Sequence, residues 1–179
     1  MSIVTKVGDG GMTRIKDCEL SKDDPRIHAI GKVDSLRAQF DRCMYCDNAY
    51  VVAMLKHIDS RLHNLLGELA LYPAKVITLD DVRFLDYQIE CIIRDAKPDL
   101  TGFVRFNTPY SMDLNEARVR CREAERYIAG LKVSKEMKIF INRLSDLLFI
   151  IAVINNTSDV HSNQEEESMQ EHLAGNKHM

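Results

Sequence analysis

The sequence predicts an all-α protein, a single bundle of five helices, and three observations carry that prediction. Apolar residues return at three- and four-residue intervals through five long segments, and helix-start and helix-stop residues stand between those segments. The last segment ends in an eight-residue apolar run, suited to a helix buried on all sides. Strands find little support anywhere, and the chain shows neither internal repeats nor a second domain. With 179 residues, 45% of them apolar, and a formal charge of −3, it can bury a core without disulfide or metal staples. It has no net basic excess, so no nucleic-acid partner is suggested.

The first helix is expected from about Pro25 to Cys46, started by Ser21-Lys22-Asp23-Asp24 and by proline in its first turn. Ile27, Ile30, Val33, Leu36 and Phe40 form its apolar seam, and Asp34 falls close to it. The second spans roughly Asn48 to Leu71, with Val51, Val52, Leu55, Ile58, Leu62, Leu65, Leu66 and Leu69 inward, and Pro73 ends it. Thr78-Leu79-Asp80-Asp81 caps a third helix reaching about Ala96, with Leu85, Ile89, Ile92 and Ile93 inward. Lys97 to Ser111 reads as a loop with an apolar patch at Phe103-Val104-Arg105-Phe106. Ser111 or Asp113 is expected to cap the fourth helix, whose seam is Leu114, Ala117, Cys121, Ala124, Ile128 and Leu131, and Gly130 lies near its end. The fifth runs from about Ser134 to Ile154 and contains the apolar run from Leu147. Eight apolar residues cannot span a bilayer, which takes about twenty, so no membrane partner is expected.

Two stretches are unusual in their charge. Arg118, Arg122 and Arg126 stand at i, i+4 and i+8 and stack along one flank of the fourth helix, an arrangement of like charges that is mildly destabilising alone. Something anionic should lie against them. Either Glu123, Glu125 or Asp146 completes a structural ladder of ion pairs, or the guanidinium groups bind a polyphosphate. Thr5-Lys6-Val7-Gly8-Asp9-Gly10-Gly11-Met12-Thr13-Arg14 gathers three glycines, two threonines and two cations. Glycine lets successive N–H groups turn toward an anion, although the stretch lacks the Gly-Lys-Ser/Thr ending of a Walker loop. A flexible tail is the alternative.

Met1 to Val7 has neither the apolar run of a signal peptide nor the composition of a transit peptide, so a cytoplasmic protein is expected. Its five cysteines, Cys18, Cys43, Cys46, Cys91 and Cys121, are then reduced thiols. Cys43-Met44-Tyr45-Cys46 has no second pair to make a zinc site. The expected domain covers residues 1–154, with the Gly-rich loop in 1–20. Residues 155–179 are a polar, acidic tail with too little apolar surface to fold alone, and His161, His172 and His178 are scattered along it.

Thr5-Lys6-x-Gly8-Asp9-x-Gly11-x-Thr13, Ser21-Lys22-Asp23-Asp24-Pro25-Arg26, Gly31-x-Val33-Asp34-x-Leu36, the run from Ala117 to Arg126, and Asn142-Arg143-Leu144-Ser145-Asp146 occur in one order. In that order and spacing the chain resembles the PduO-type ATP:cob(I)alamin adenosyltransferases over about residues 3 to 154. The resemblance implies a left-handed five-helix bundle that assembles as a homotrimer, with a site at each subunit interface. It implies transfer of the 5′-deoxyadenosyl group of ATP to cob(I)alamin, with Mg²⁺, and release of triphosphate. By the same resemblance Thr5, Lys6, Val7, Gly8, Asp9, Thr13, Arg14 and Lys22 line the triphosphate. Arg122, Glu123, Ala124, Glu125, Arg126 and Asn142 complete the nucleotide pocket. Arg118 pairs with Asp34 across the interface, and Phe103 fills the space left when the lower axial ligand of the corrinoid departs. A reductase or a cobalamin-dependent enzyme is an implied partner.

The chain departs from the family pattern in places. Members usually carry Phe-x-x-Pro-Gly-Gly where this chain has Phe103-Val104-Arg105-Phe106-Asn107-Thr108-Pro109-Tyr110-Ser111. Glu123 stands where a second arginine usually follows Arg122, Gly10 replaces a lysine, and Ser35-Leu36-Arg37 replaces Glu-Leu-Asn. A reversed charge in a phosphate pocket predicts weaker use of ATP. The alternative reading is a non-catalytic member that binds ATP or corrinoid as a carrier, sensor or regulatory subunit.

Overall fold

The computed structural model describes residues 8–71 and 77–156. Five helices dominate: α1 (Pro25–Cys43), α2 (Ala49–Leu69), α3 (Leu79–Ala96), α4 (Pro109–Ala129) and α5 (Lys135–Ile154). They are preceded by a short antiparallel hairpin, β1 (Met12–Ile15) and β2 (Cys18–Ser21), in which Met12 faces Ser21 and Ile15 faces Cys18. The hairpin corrects the expectation that strands find little support. Its turn contains Lys16 in the left-handed region at φ 51°, without a glycine to mark it.

Local chemistry sets the helix ends. The Asp24 carboxylate accepts from Arg26 N at the start of α1, and Pro25 occupies the first turn, where its missing N–H costs nothing. Asn48 caps α2, Thr78 and Asp81 form a reciprocal capping box on α3, and Ser134 caps α5. α4 begins earlier than the sequence suggests. Thr108 is its cap, with Pro109 in the first turn and Ser111 completing the box, so neither Ser111 nor Asp113 is the cap. α1 stops at Cys43, three residues short of expectation. Pro73 lies outside the described residues.

α1 packs on α2 and α4, α4 on α5, and α5 on α3. The spatial order is therefore α2, α1, α4, α5, α3, and side chains between α2 and α3 close it. Arg61 pairs with Asp81 at 2.8 Å, the rings of His57 and Phe84 lie 4.5 Å apart, and Tyr50 bonds Gln88. One continuous core fills the middle, contributed by Val33, Leu36 and Phe40 of α1, Leu55, Ile58 and Leu62 of α2, and Leu114, Ala117 and Ile128 of α4. α5 is the most deeply placed, with Leu144, Leu147, Leu148 and Ile151 fully buried. Each such side chain contributes about 1.5–3 kcal/mol. Ile93, expected inward on α3, is 40% exposed, while Ile92 beside it packs against the core. Among the described residues no helix is long and apolar enough to cross a membrane.

Candidate active site

The Gly-rich turn is held from one side by Lys22. Gly11 adopts φ +77°, a conformation that L side chains rarely take, and its N–H reaches Gly8 O at 3.3 Å. Lys22 N donates to Gly11 O at 2.8 Å, and Lys22 Nζ donates to Gly8 O at 2.6 Å. A Cβ on Gly8 would lie 3.1 Å from Lys22 Nζ, so a side chain there would push the lysine tip aside by a few tenths of an ångström. Thr13 is half-buried on β1, while Asp9, Arg14 and Lys22 are exposed. Thr5, Lys6 and Val7 lie outside the described residues.

The arginine flank follows from helical spacing. Steps of four residues advance about 6 Å along α4, so Arg126, Arg122 and Arg118 descend its side in order. Arg122 Nη1 lies 3.6 Å from Glu125 Oε2, and Asn142 Nδ2 of α5 donates to Glu125 Oε1 at 2.9 Å. Glu125 is thus the hinge between the two helices. Arg118 Nε donates to Asn115 Oδ1 at 2.9 Å, and its guanidinium stands 5.8 Å from the Phe149 ring centroid, a cation–π distance. Among the described residues neither Arg118 nor Arg126 has an ion pair. Asp146 is taken by Arg143, whose Nη1 lies at 3.4 Å.

Glu123 is not on this flank. Its carboxylate meets Lys32 Nζ of α1 at 2.7 Å, and that hydrogen bond holds it below the ordinary glutamate range. One residue is 100° of helix turn, enough to swing position 123 from the α5 side toward α1. The same α1 side carries Tyr127, stacked on His28 at 5.6 Å. Ala124 is fully buried in the core, so its side chain cannot touch a ligand. The reversed charge is therefore drawn toward Lys32 of α1, with Arg126 also within range of it.

Beyond Arg118 the flank opens into a cleft of about 530 Å³ lined by Phe103, Val104, Arg105, Phe106, Met112, Asn115, Glu116, Arg118 and Phe149. Gly102 turns the chain into it at φ +86°. Exposure alternates along the loop: Phe103 and Arg105 are outward, while Val104 and Phe106 are half-buried. Phe103 is 101% exposed, so it packs under nothing, and Phe106 is the anchor, edge-on to Phe149 at 6.3 Å. Asn156 fixes the loop to the end of α5: Nδ2 donates to Arg105 O at 2.9 Å, and Oδ1 accepts from Asn107 N at 2.8 Å and from Ser111 Oγ at 2.9 Å. Thr108 Oγ1 donates to Asn155 O at 2.9 Å.

The structure thus brings Arg122, Glu125 and Asn142 together, with Arg126 a turn away and Arg118 at the cleft beside Phe103. Asp34 is exposed on α1 and makes no pair with Arg118 within the chain. No hydrogen bond or ion pair among the described residues joins the segment from Gly8 to Lys22 to the arginine flank. Sequence reasoning passed over Phe149, Asn115 and Asn156. Phe149 was hidden in the apolar run, and Asn156 among the polar residues that follow it.

A row of three arginines down α4, with Asn142 of the packed α5 beside it and a cleft lined by Phe103, Phe106 and Phe149 at its end, defines the site of this five-helix bundle. The profile of the family described as Cobalamin adenosyltransferase matches residues 3–155. A Cobalamin adenosyltransferase of Cupriavidus metallidurans is 32% identical, over 93% of this chain and 96% of that protein. A PduO-type ATP:corrinoid adenosyltransferase of Lactobacillus reuteri, an arginine-to-lysine variant complexed with ATP, superposes with a TM-score of 0.78 at 28% identity, covering 87% of this chain and 94% of that one. A phenylalanine-to-histidine variant of the enzyme from the same organism, complexed with cobalamin and ATP, gives 0.73 at 28% identity over 87% and 91%. The chain belongs to the cobalamin adenosyltransferase family.

Proposed function

We propose that this protein transfers the 5′-deoxyadenosyl group of ATP to cob(I)alamin. The Co(I) electron pair forms the Co–C5′ bond, the C5′–O bond breaks, and triphosphate leaves with that bonding pair. Co(I) is a strong nucleophile, so the protein supplies no base. Its task is to hold C5′ in line with cobalt and to stabilise charge gathering on triphosphate. The observation that carries the reading is the Arg122–Glu125–Asn142 cluster next to the cleft with Phe103 at its lip.

Arg122 lies on the phosphates, and Glu125, Arg126 and Asn142 complete the nucleotide pocket, Glu125 being held by Asn142. Thr5, Lys6, Val7, Gly8, Asp9, Thr13, Arg14 and Lys22 line the triphosphate. Among the described residues no hydrogen bond or ion pair joins the glycine turn to the arginine flank, and the reading is a homotrimer in which the turn of one copy covers the flank of the next. Asp34 of one copy then pairs with Arg118 of its neighbour. Mg²⁺ arrives on the nucleotide. Phe103, free of contacts, occupies the lower face of the corrinoid once its base has left. A cytoplasmic reductase supplies the Co(I) state, and a cobalamin-dependent enzyme takes the product.

The test is an anaerobic assay with chemically reduced cob(I)alamin, Mg²⁺ and ATP, following loss of the cob(I)alamin band. ATP-dependent adenosylcobalamin is expected. No product from protein that still binds ATP would overturn the reading in favour of a binding-only role.

A further inference from the structure

Arg105 stands in the loop where this chain departs from the family's usual Phe-x-x-Pro-Gly-Gly, and the adenosyl transfer does not use it. It lines the cleft and is exposed, and among the described residues it has no ion pair. The carboxylate that shares the cleft, Glu116, is engaged 2.9 Å from Arg120 Nε, on α4 itself. The other cation there, Arg118, donates to Asn115, lies over the Phe149 ring and is assigned to Asp34 of the neighbouring copy. The Arg105 backbone, by contrast, is pinned through its carbonyl to Asn156, so the guanidinium projects from a fixed base. The cleft lining reaches Arg118 and stops a full turn short of Arg122, which separates Arg105 from the triphosphate end.

Phe103 and Arg105 share the outward side of the loop, two residues apart, which in an extended chain is about 6–7 Å. A complete corrinoid carries one anionic group, the phosphodiester that links the ring to its lower base. When that base leaves cobalt, the nucleotide loop swings aside and its phosphodiester comes to lie beside whatever fills the lower face. We infer that Arg105 binds this phosphodiester and so makes the protein favour corrinoids with a nucleotide loop over those without one. The inference rests on the adenosyltransferase reading and on Phe103 being at the lower face. A guanidinium offers a phosphodiester two parallel N–H donors, which an ammonium cannot.

The experiment compares cobalamin with cobinamide, the same ring without the nucleotide loop, both chemically reduced. The wild type is expected to show a KM for cobalamin about tenfold below that for cobinamide, the effect of one charged hydrogen-bonding group. Arg105→Ala should raise the cobalamin KM to the cobinamide value and leave the KM values for cobinamide and ATP in place, and Arg105→Lys should recover part of the difference. Binding of the Co(II) forms by difference absorbance gives the same comparison without turnover. Wild-type protein that uses both corrinoids equally, or an Arg105→Ala change that moves both together, overturns the inference while the transferase stands. Wild-type protein that binds and adenosylates neither overturns the transferase reading, and the inference with it.

Discussion

Lys32 Nζ and Glu123 Oε1 lie 2.7 Å apart across the α1–α4 seam, and this pair decides what the unexpected glutamate does. It is a surface bridge in which Lys32 holds the carboxylate first, with the charge of Arg126 also within range of it. Glu123→Arg, which restores the usual family residue, is therefore expected to leave the KM for ATP unchanged. It should lower stability by about 0.2–1 kcal/mol, because two cations would then face each other. Thermal melts and ATP titrations of the variant check both halves, and a clear gain in ATP affinity would put position 123 back in the pocket.

Arg122 is exposed and holds no part of the core, so its loss should be felt only in chemistry. Arg122→Ala is expected to lower kcat/KM by about 100-fold or more, the range for removing a fixed charge at a transition state. Helical circular dichroism should not change. Arg122→Lys keeps the charge but loses the planar fork and should fall between the two.

Phe103 and Phe106 should separate function from stability. Phe103→Ala removes a side chain that touches nothing and should shift stability by no more than about 0.5 kcal/mol, while impairing turnover that starts from cob(II)alamin with a reductant. Phe106→Ala removes the edge contact with Phe149 and should cost about 1–3 kcal/mol, less than a fully buried phenylalanine. Denaturant curves for the two variants check the contrast.

Asp34→Asn should weaken corrinoid use more than ATP binding, and it should loosen the assembly. Sedimentation at several protein concentrations, beside the two KM values, reads this. Equal losses for both substrates in an intact assembly would remove Asp34 from the interface.

Asp81 gives a pH dependence. Burial pushes its carboxyl up, but hydrogen bonds from Thr78 N and Oγ1 and the nearby Arg61 outweigh that and leave it below its ordinary 3.8. Because the folded value is the lower one, the stabilisation is present above pH 3.8 and is lost as pH falls through the folded value. Asp81→Asn should lose about 1–2 kcal/mol at neutral pH and show a flatter stability profile in acid, measured by denaturant unfolding.

The helices were legible because each buries one face, and a buried face writes a 3.6-residue period that Val33, Leu36 and Phe40 or Leu114, Ala117 and Cys121 spell out. The hairpin was not, because Met12-Thr13-Arg14-Ile15 and Cys18-Glu19-Leu20-Ser21 are four residues each and bury little more than Ile15. The start of α4 was missed because Pro109, inside the expected Lys97 to Ser111 loop, is the first helical residue after the Thr108 cap. The arginine row, Glu125 and Asn142 were readable from spacing. Which side of α4 took Glu123 was not, because position 123 lies between two seams and only packing against Lys32 settles the choice. Phe149 looked like core because composition cannot tell a residue at a cleft wall from one under it.

Asn156 clasps residues 105, 107 and 111 with one amide group. The peptide from Arg105 to Ser111 is therefore measured off against the last turn of α5, and a residue added or removed there would break the clasp. The stretch from Pro98 to Gly102 carries no such tie to α5. Length variation among relatives should gather in that upstream stretch, and a library that varies loop length to admit bulkier corrinoids would best place its insertions there.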